Sequence, residues 1–308
     1  VFAAPPPAFC PIRAENRYRR KNRPAARPRT ARGAALSCFV TAVYSRRARM
    51  TEPRKGASRR ADISPDLLAK LNAGTEQTAT LAEGLAIDFA LLLAVAVPDI
   101  DAEALDLVRG MAGAGVTRRM EAVGELLLRH GGLDGAAALA AHPADTVRGW
   151  ACYAIGRAPK LKLKARLERI RPLADDPHFG VREWAWMALR PHLAANVGHA
   201  ISALAPWVKH ASPNVRRFAV EATRPRGVWC SHINALKDNP AQALPLLDPL
   251  KADPAKYVQD SVANWLNDAA KSQPQWVRAL CARWRAESDS EATARICSRA
   301  LRTAGAGE

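Results

Sequence analysis

From Ser64-Pro65 onward the apolar positions recur with a helical period, and no stretch alternates apolar and polar residues as a strand would. Ser64 suits a helix N-cap with Pro65 at the first helical position. Leu67, Leu68 and Leu71 then form one stripe, and Gly74 closes the segment. The most apolar run, Phe89 to Val97, follows Asp88 and stops at Pro98. It is about half the ~20 residues a membrane-spanning helix needs, so it predicts a buried helix.

A repeat overlies this pattern. Val147-Arg148-Gly149-Trp150-Ala151, Val181-Arg182-Glu183-Trp184-Ala185 and Val215-Arg216-Arg217-Phe218-Ala219 recur at 34-residue intervals. Val258-Gln259-Asp260-Ser261-Val262-Ala263 follows 43 residues after the third, and a looser copy, Val116 to Met120, comes 31 residues before the first. Turn residues precede the main copies: Pro143 to Asp145, Asp175 to Pro177, Ser212 to Asn214, and Asp253-Pro254. Each unit reads as a helix pair, with Asp or Asn near the cap of the second helix and an Arg directly after a buried Val. Stacked pairs bury a continuous core and leave a concave surface, so the expected fold is all-α, a HEAT-like helical-repeat solenoid.

Comparing the repeats with one another separates packing positions from idiosyncratic ones. The aromatic residue three after the Val (Trp150, Trp184, Phe218) and the Ala four after it are constant, which predicts a core role. Six after the Val stand Tyr153, Met187, Glu221 and Asn264, and nine after it Gly156, Arg190, Arg224 and Asn267. A specific site is expected where the rhythm breaks.

Composition adds less than the total charge suggests. Of the net +17, residues 1–50 hold twelve Arg or Lys against the single acid Glu15, a net of +11, and residues 51–60 add +3. The repeat region is nearly balanced, so any electrostatic role rests on where its cations cluster. The organisation expected is a basic, Pro/Arg-rich segment over 1–49, a polar lead-in over 50–62, the repeat domain over 63–304 and a short tail over 305–308. The first segment fits a basic arm, a transit peptide, or translation upstream of a start at Met50, and the last is favoured. Hydrophobic residues at 48% argue against a wholly disordered chain. The six cysteines (10, 38, 152, 230, 281 and 297) show no paired spacing, and Cys230-Ser231-His232 offers two ligands where a metal site needs more. Reduced thiols in a cytosolic protein are expected, with no metal.

The third repeat carries the densest candidate chemistry. Arg217, Glu221 and Arg224 stand at i, i+4 and i+7 and share a helical face; Pro225 then breaks the helix and Arg226-Gly227-Val228-Trp229 follows. Cations around a carboxylate, with a nearby Trp, suit phosphate gripping around a chemical centre; a surface salt-bridge face is the alternative. Glu183, Trp186 and Arg190 share a face in the second repeat. In the fourth, Asn264-Trp265-Leu266-Asn267-Asp268 concentrates polar groups, with helix-end capping as the alternative.

At these segments the chain resembles the HEAT-like-repeat DNA alkylation repair proteins, the AlkC/AlkD group of DNA glycosylases, nearer the AlkC branch. The carrying stretches are Val215-Arg216-Arg217-Phe218-Ala219-Val220-Glu221-Ala222-Thr223-Arg224-Pro225-Arg226 and Tyr257-Val258-Gln259-Asp260-Ser261-Val262-Ala263-Asn264-Trp265-Leu266-Asn267-Asp268. The similarity covers roughly residues 145–285.

The resemblance implies excision of cationic N3- or N7-alkylated bases, such as 3-methyladenine, by hydrolysis of the N-glycosidic bond, as in base excision repair. It implies a concave face that binds double-stranded DNA, no cofactor, and a monomer in the cytosol. Glu221 and Asp268 match positions the family uses at its active surface, and Arg224 and Arg226 lie toward the DNA backbone. Arg182, Arg190, Arg216 and Arg217 are the further candidates for phosphate contact, and Trp186, Trp229, Asn264 and Trp265 for base or sugar contact. One departure stands out: Ala188-Leu189-Arg190-Pro191 aligns a family string so that Trp186 occupies a position where the AlkC branch has an acid. Glu183, nearly a turn earlier, is the candidate substitute. The alternatives are a non-catalytic reader of damaged or distorted DNA and a protein-interaction scaffold.

Overall fold

The computed structural model describes residues 54–227 and 229–303. The expectations placed on residues 1–49, on a start at Met50, on Val228 and on the tail from 305 lie outside the described residues. Among the described residues all regular structure is helical. The helices are α1 (Pro65–Asn72), α2 (Leu81–Ala86), α3 (Phe89–Ala96), α4 (Ala102–Gly110), α5 (Val116–Ala138), α6 (Asp145–Arg157), α7 (Leu163–Ala174) and α8 (Phe179–Ala195). They continue as α9 (Val197–Leu204), α10 (Pro213–Glu221), α11 (Asn234–Asp238), α12 (Leu244–Leu247), α13 (Lys256–Ala270), α14 (Pro274–Glu287) and α15 (Glu291–Ala300).

The repeat lays these out in two layers. Helices α5, α6, α8, α10, α13 and α15 pack side by side in chain order, and α7, α9, α12 and α14 pack behind them. Val147, Val181, Val215 and Val258 are fully buried, as are Trp150, Phe218 and the repeating alanines Ala151, Ala185 and Ala219; Trp184 is half-buried against Tyr153. The row is tight because two of its crossings are glycines. A Cβ on Gly124 would stand 2.8 Å from the Ala154 nitrogen, and one on Gly156 would stand 2.6 Å from the Ala188 oxygen. Backbone thus meets backbone between α5 and α6 and again between α6 and α8.

The residue after each Val ties successive turns together. Arg148 donates to the carbonyls of His142 and Pro143, Arg182 to those of Asp176 and Pro177, and Arg216 to those of His210 and Ala211. Gln259 repeats the motif on the Asp253 carbonyl. Two of the arginines also reach the next turn, Arg148 to Asp176 at 2.8 Å and Arg216 to Asp253 at 2.6 Å. Asp or Asn was expected near each cap, and so it stands: Asp145 opens α6, and Asp176 and Asp253 accept the N–H groups of His178 and Ala255 at the starts of α8 and α13. The residues flanking α6 and α13 at their starts are Ala144 and Ala255, and α8 and α10 are capped by His178 and Ser212. Asp176 and Asp253 thus serve the helix start with Oδ1 and the arginine of the preceding unit with Oδ2.

The first helix begins as expected, with Ser64 accepting from the Leu67 N–H. The apolar run forms α3 with Phe89, Ala90, Leu92, Leu93 and Ala96 buried, but Leu91 and Val95 stay exposed, so one edge of this helix is open. No helix among the described residues is long and apolar enough to cross a membrane.

Candidate functional site

Three neighbouring helices of the front layer, α8, α10 and α13, converge on one set of charges. Just over one turn of α10 separates Arg217 from Glu221 and places them on the same side, and the chain leaves the helix just before Arg224, so that all three remain together as the spacing predicts. Helix α8 contributes Glu183 and Trp186 from its first half, and α13 contributes Tyr257, Ser261 and Asp268 along one face.

The charges alternate. Arg217 Nη2 lies 2.7 Å from Glu183 Oε1 and 3.5 Å from Glu221 Oε1. Arg224 Nη1 lies 3.2 Å from Glu221 Oε2, and its Nη2 lies 2.8 Å from Asp268 Oδ2. The result is a row, Glu183–Arg217–Glu221–Arg224–Asp268, running across three repeats. Ser261 Oγ donates to Glu221 Oε1 at 2.7 Å, the Trp186 indole N–H donates to Glu183 Oε2 at 2.8 Å, and Lys271 Nζ stands 3.3 Å from Asp268 Oδ1. The Arg217 guanidinium also covers the Tyr257 ring, 4.4 Å from its centroid.

Burial works against both guanidinium charges, but the carboxylates overcome it. Glu221 and Glu183 hold the Arg217 pKa above the ordinary arginine value, and Glu221 and Asp268 do the same for Arg224. The carboxylates differ in access. The Glu183 side chain is 34% exposed, against 4% for Glu221 and 6% for Asp268.

The other expected contacts divide. Trp229 is 54% exposed and sits at φ 59°, a strained conformation for a bulky residue, in the loop that carries Arg226. Arg226 reaches the Asp268 carbonyl and the Ser272 hydroxyl, and Asn264 accepts from Arg302. Arg190 is buried and points at the carbonyls of Ala222, Arg224 and Ser231, closing the end of α10 as an internal cap. Burial lowers its pKa. Its expected phosphate contact gives way to this structural use. Arg182 and Arg216 are engaged by the turn carbonyls, with Tyr257 or Asp253 beyond. Trp265, expected at the surface, is wholly buried and donates to the Thr223 carbonyl. Trp186 is buried too and meets Glu183 with its N–H alone. The Asn264 to Asp268 stretch lies inside α13 and is not a helix-end cap; Asn267 instead donates to the Ala300 carbonyl of α15.

Ser261 and Tyr257 belong to the site without having been singled out. The signal was present in the spacing of Tyr257, Ser261, Asn264 and Asp268 along one side of α13. Among the described residues no group of three or more His, Cys, Asp and Glu side chains could hold a metal ion. Burial pushes the Cys230 thiol pKa up, which keeps it a poor ligand at neutral pH.

Residues 180–300 match the family described as "DNA alkylation repair enzyme", and the whole charged row falls inside that span. The chain is 38% identical over 117 residues to "Uncharacterized protein YhaZ" of Bacillus subtilis (strain 168), a match that covers 38% of this chain and 32% of the relative. The fold is similar to that of the Pseudomonas fluorescens alkylpurine DNA glycosylase AlkC bound to DNA containing an abasic site analog. The two align with a TM-score of 0.59 at 24% identity over 81% of this chain and 65% of the other. The match to the curated relative thus spans about a third of its length, and that to the solved structure about two thirds.

Proposed function

We propose that this chain, whose residues 180–300 match the DNA alkylation repair enzyme family, binds double-stranded DNA and hydrolyses the N-glycosidic bond of cationic N3- or N7-alkylated bases. The observation that carries the reading is the row of three carboxylates and two guanidiniums drawn from three successive repeats within that segment.

The chemistry suits these groups. An N-alkylated purine already bears positive charge, so when its bond to the sugar C1′ breaks, the bonding pair leaves with the base and the base departs neutral. The sugar becomes oxocarbenium-like; water adds to C1′ and gives up a proton, leaving an abasic sugar. Carboxylates held at fixed positions stabilise the positive sugar and accept that proton. A cationic leaving group needs little acid catalysis, so the reaction calls for neither metal nor cofactor. The exposed Trp229 offers an aromatic face to the cationic base. The chain acts as a monomer on chromosomal DNA in the cytosol.

The test is release of free base from methylated duplex, separated by chromatography. Release above the spontaneous rate is expected, with loss of release and retention of DNA binding in Glu221→Gln. A Glu221→Gln variant that excises as well as wild type removes Glu221 from the reaction. Salt-sensitive binding by wild type without release makes the chain a reader of damaged DNA, a reading favoured by Trp186 where the resemblance expects an acid.

A further inference from the structure

The charged row is not symmetric. At one end Asp268 is buried, with Arg224 on Oδ2 and Lys271 on Oδ1. In the middle Glu221 is buried, with Ser261 and Arg217 on Oε1 and Arg224 on Oε2. At the other end Glu183 is one-third exposed. Its Oε1 meets Arg217, a cation shared with Glu221, and among the described residues its Oε2 meets only the neutral N–H of Trp186. Three carboxylates alternate with two guanidiniums, so negative charge terminates the row on both sides. Lys271 offsets it at the Asp268 end. At the Glu183 end the charge faces solvent.

We propose that Glu183 is the carboxylate that meets the ligand, a positively charged sugar in a DNA strand, and that Trp186 is its positioning residue. Glu221 and Asp268 hold Arg217 and Arg224 in line behind it. This assignment rests on the glycosylase reading for its reaction, in which Glu183 faces the oxocarbenium-like C1′ and takes the proton from the attacking water. The geometry gives Glu183 what that work needs. The buried Trp186 indole and the half-buried Arg217 guanidinium each hold one oxygen, so the carboxylate stays oriented while a third of its side chain remains open to solvent. Glu221 has no such open side.

Two measurements on the full chain separate this assignment from the reading it rests on. The first compares binding to duplexes carrying a cationic pyrrolidine or a neutral tetrahydrofuran in place of one nucleoside. Wild type is expected to prefer the cation by about tenfold or more, and Glu183→Gln to lose the preference while binding the neutral analogue unchanged. The second is single-turnover base release. Glu183→Gln is expected to fall about a hundredfold and Trp186→Phe, which keeps a ring but lacks the N–H, about tenfold. The double variant should fall no further than Glu183→Gln alone, because Trp186 acts only through Glu183. If wild type releases no base but prefers the cationic analogue, and Glu183→Gln loses that preference, the glycosylase reading fails and the placement of Glu183 stands. If Glu183→Gln keeps both preference and rate, or the double variant loses the product of the single losses, the assignment is overturned.

Discussion

Arg224 Nη2 stands 2.8 Å from Asp268 Oδ2, and through that contact the end of α10 is tied to the end of α13. The same guanidinium holds Glu221 on its other side, so one side chain separates two buried carboxylates. Replacing it with Gln leaves the two acids facing each other with no cation between them, Arg217 and Lys271 remaining on their far sides. Arg224→Gln is expected to cost about 3 kcal/mol of stability, read as a lower urea midpoint by circular dichroism, and to weaken duplex binding as well. A variant as stable as wild type would show that water, not Arg224, carries the compensation.

The Val-Arg segments predict an uneven series. Arg148 and Arg216 pair with an aspartate in the next turn, whereas Arg182 meets carbonyls and the Tyr257 hydroxyl. Arg148→Met leaves Asp176 buried and unpaired and is expected to cost about 3 kcal/mol, with Arg182→Met costing about 1 kcal/mol. Adding Asp176→Leu to Arg148→Met should recover part of the loss, the coupling being measured by a double-mutant cycle. Equal losses at Arg148 and Arg182 would show that the carbonyl contacts alone hold the turns.

Gly156→Ala tests the crossing of α6 and α8. The new Cβ meets a backbone oxygen that cannot rotate away, so the two helices must separate, at an expected cost of about 1–3 kcal/mol. Thermal melts of the variant check it, with a clear drop in Tm expected.

Acid should loosen the packing around α2, which carries Glu83. Burial alone would push the Glu83 pKa up, but Arg54 and the N–H groups of Ala79 and Ala57 outweigh it and bring it from 4.5 to about 2. A carboxylate whose folded pKa is depressed contributes stability above its unfolded pKa, and the contribution fades as pH falls from about 4.5 toward 2. It amounts to roughly 3 kcal/mol. Chemical denaturation at pH 6 and pH 3 should therefore show a smaller pH-linked loss for Glu83→Gln than for wild type. Parallel losses in the two proteins would place the acid sensitivity elsewhere.

The architecture was legible because the same gap must be filled in every unit. Val, Ala and an aromatic residue return at fixed places, and those side chains form the buried seam of the front layer. The arginine partners were not legible. Arg148 and Arg182 occupy equivalent positions, yet the turn residue one unit on is Asp176 for the first and His210 for the second. The face of Arg217, Glu221 and Arg224 followed from local spacing, since one helix decides it. That Glu183 and Asp268 close the two ends of that face depends on how three helices stack, which no local period encodes. Trp186 and Trp265 illustrate the reverse difficulty. Each stands where a surface contact was expected, and each turns inward, because a large ring buries more apolar area between helices than at their edge. Arg190 does likewise, its guanidinium capping the carbonyls at the end of α10.

The most direct measurement is single-turnover release of 3-methyladenine from methylated duplex by wild type beside Glu183→Gln. The row of carboxylates predicts free base from wild type well above the spontaneous rate, and about a hundredfold less from the variant at equal DNA occupancy. Spontaneous-rate release from wild type at saturating DNA would contradict it.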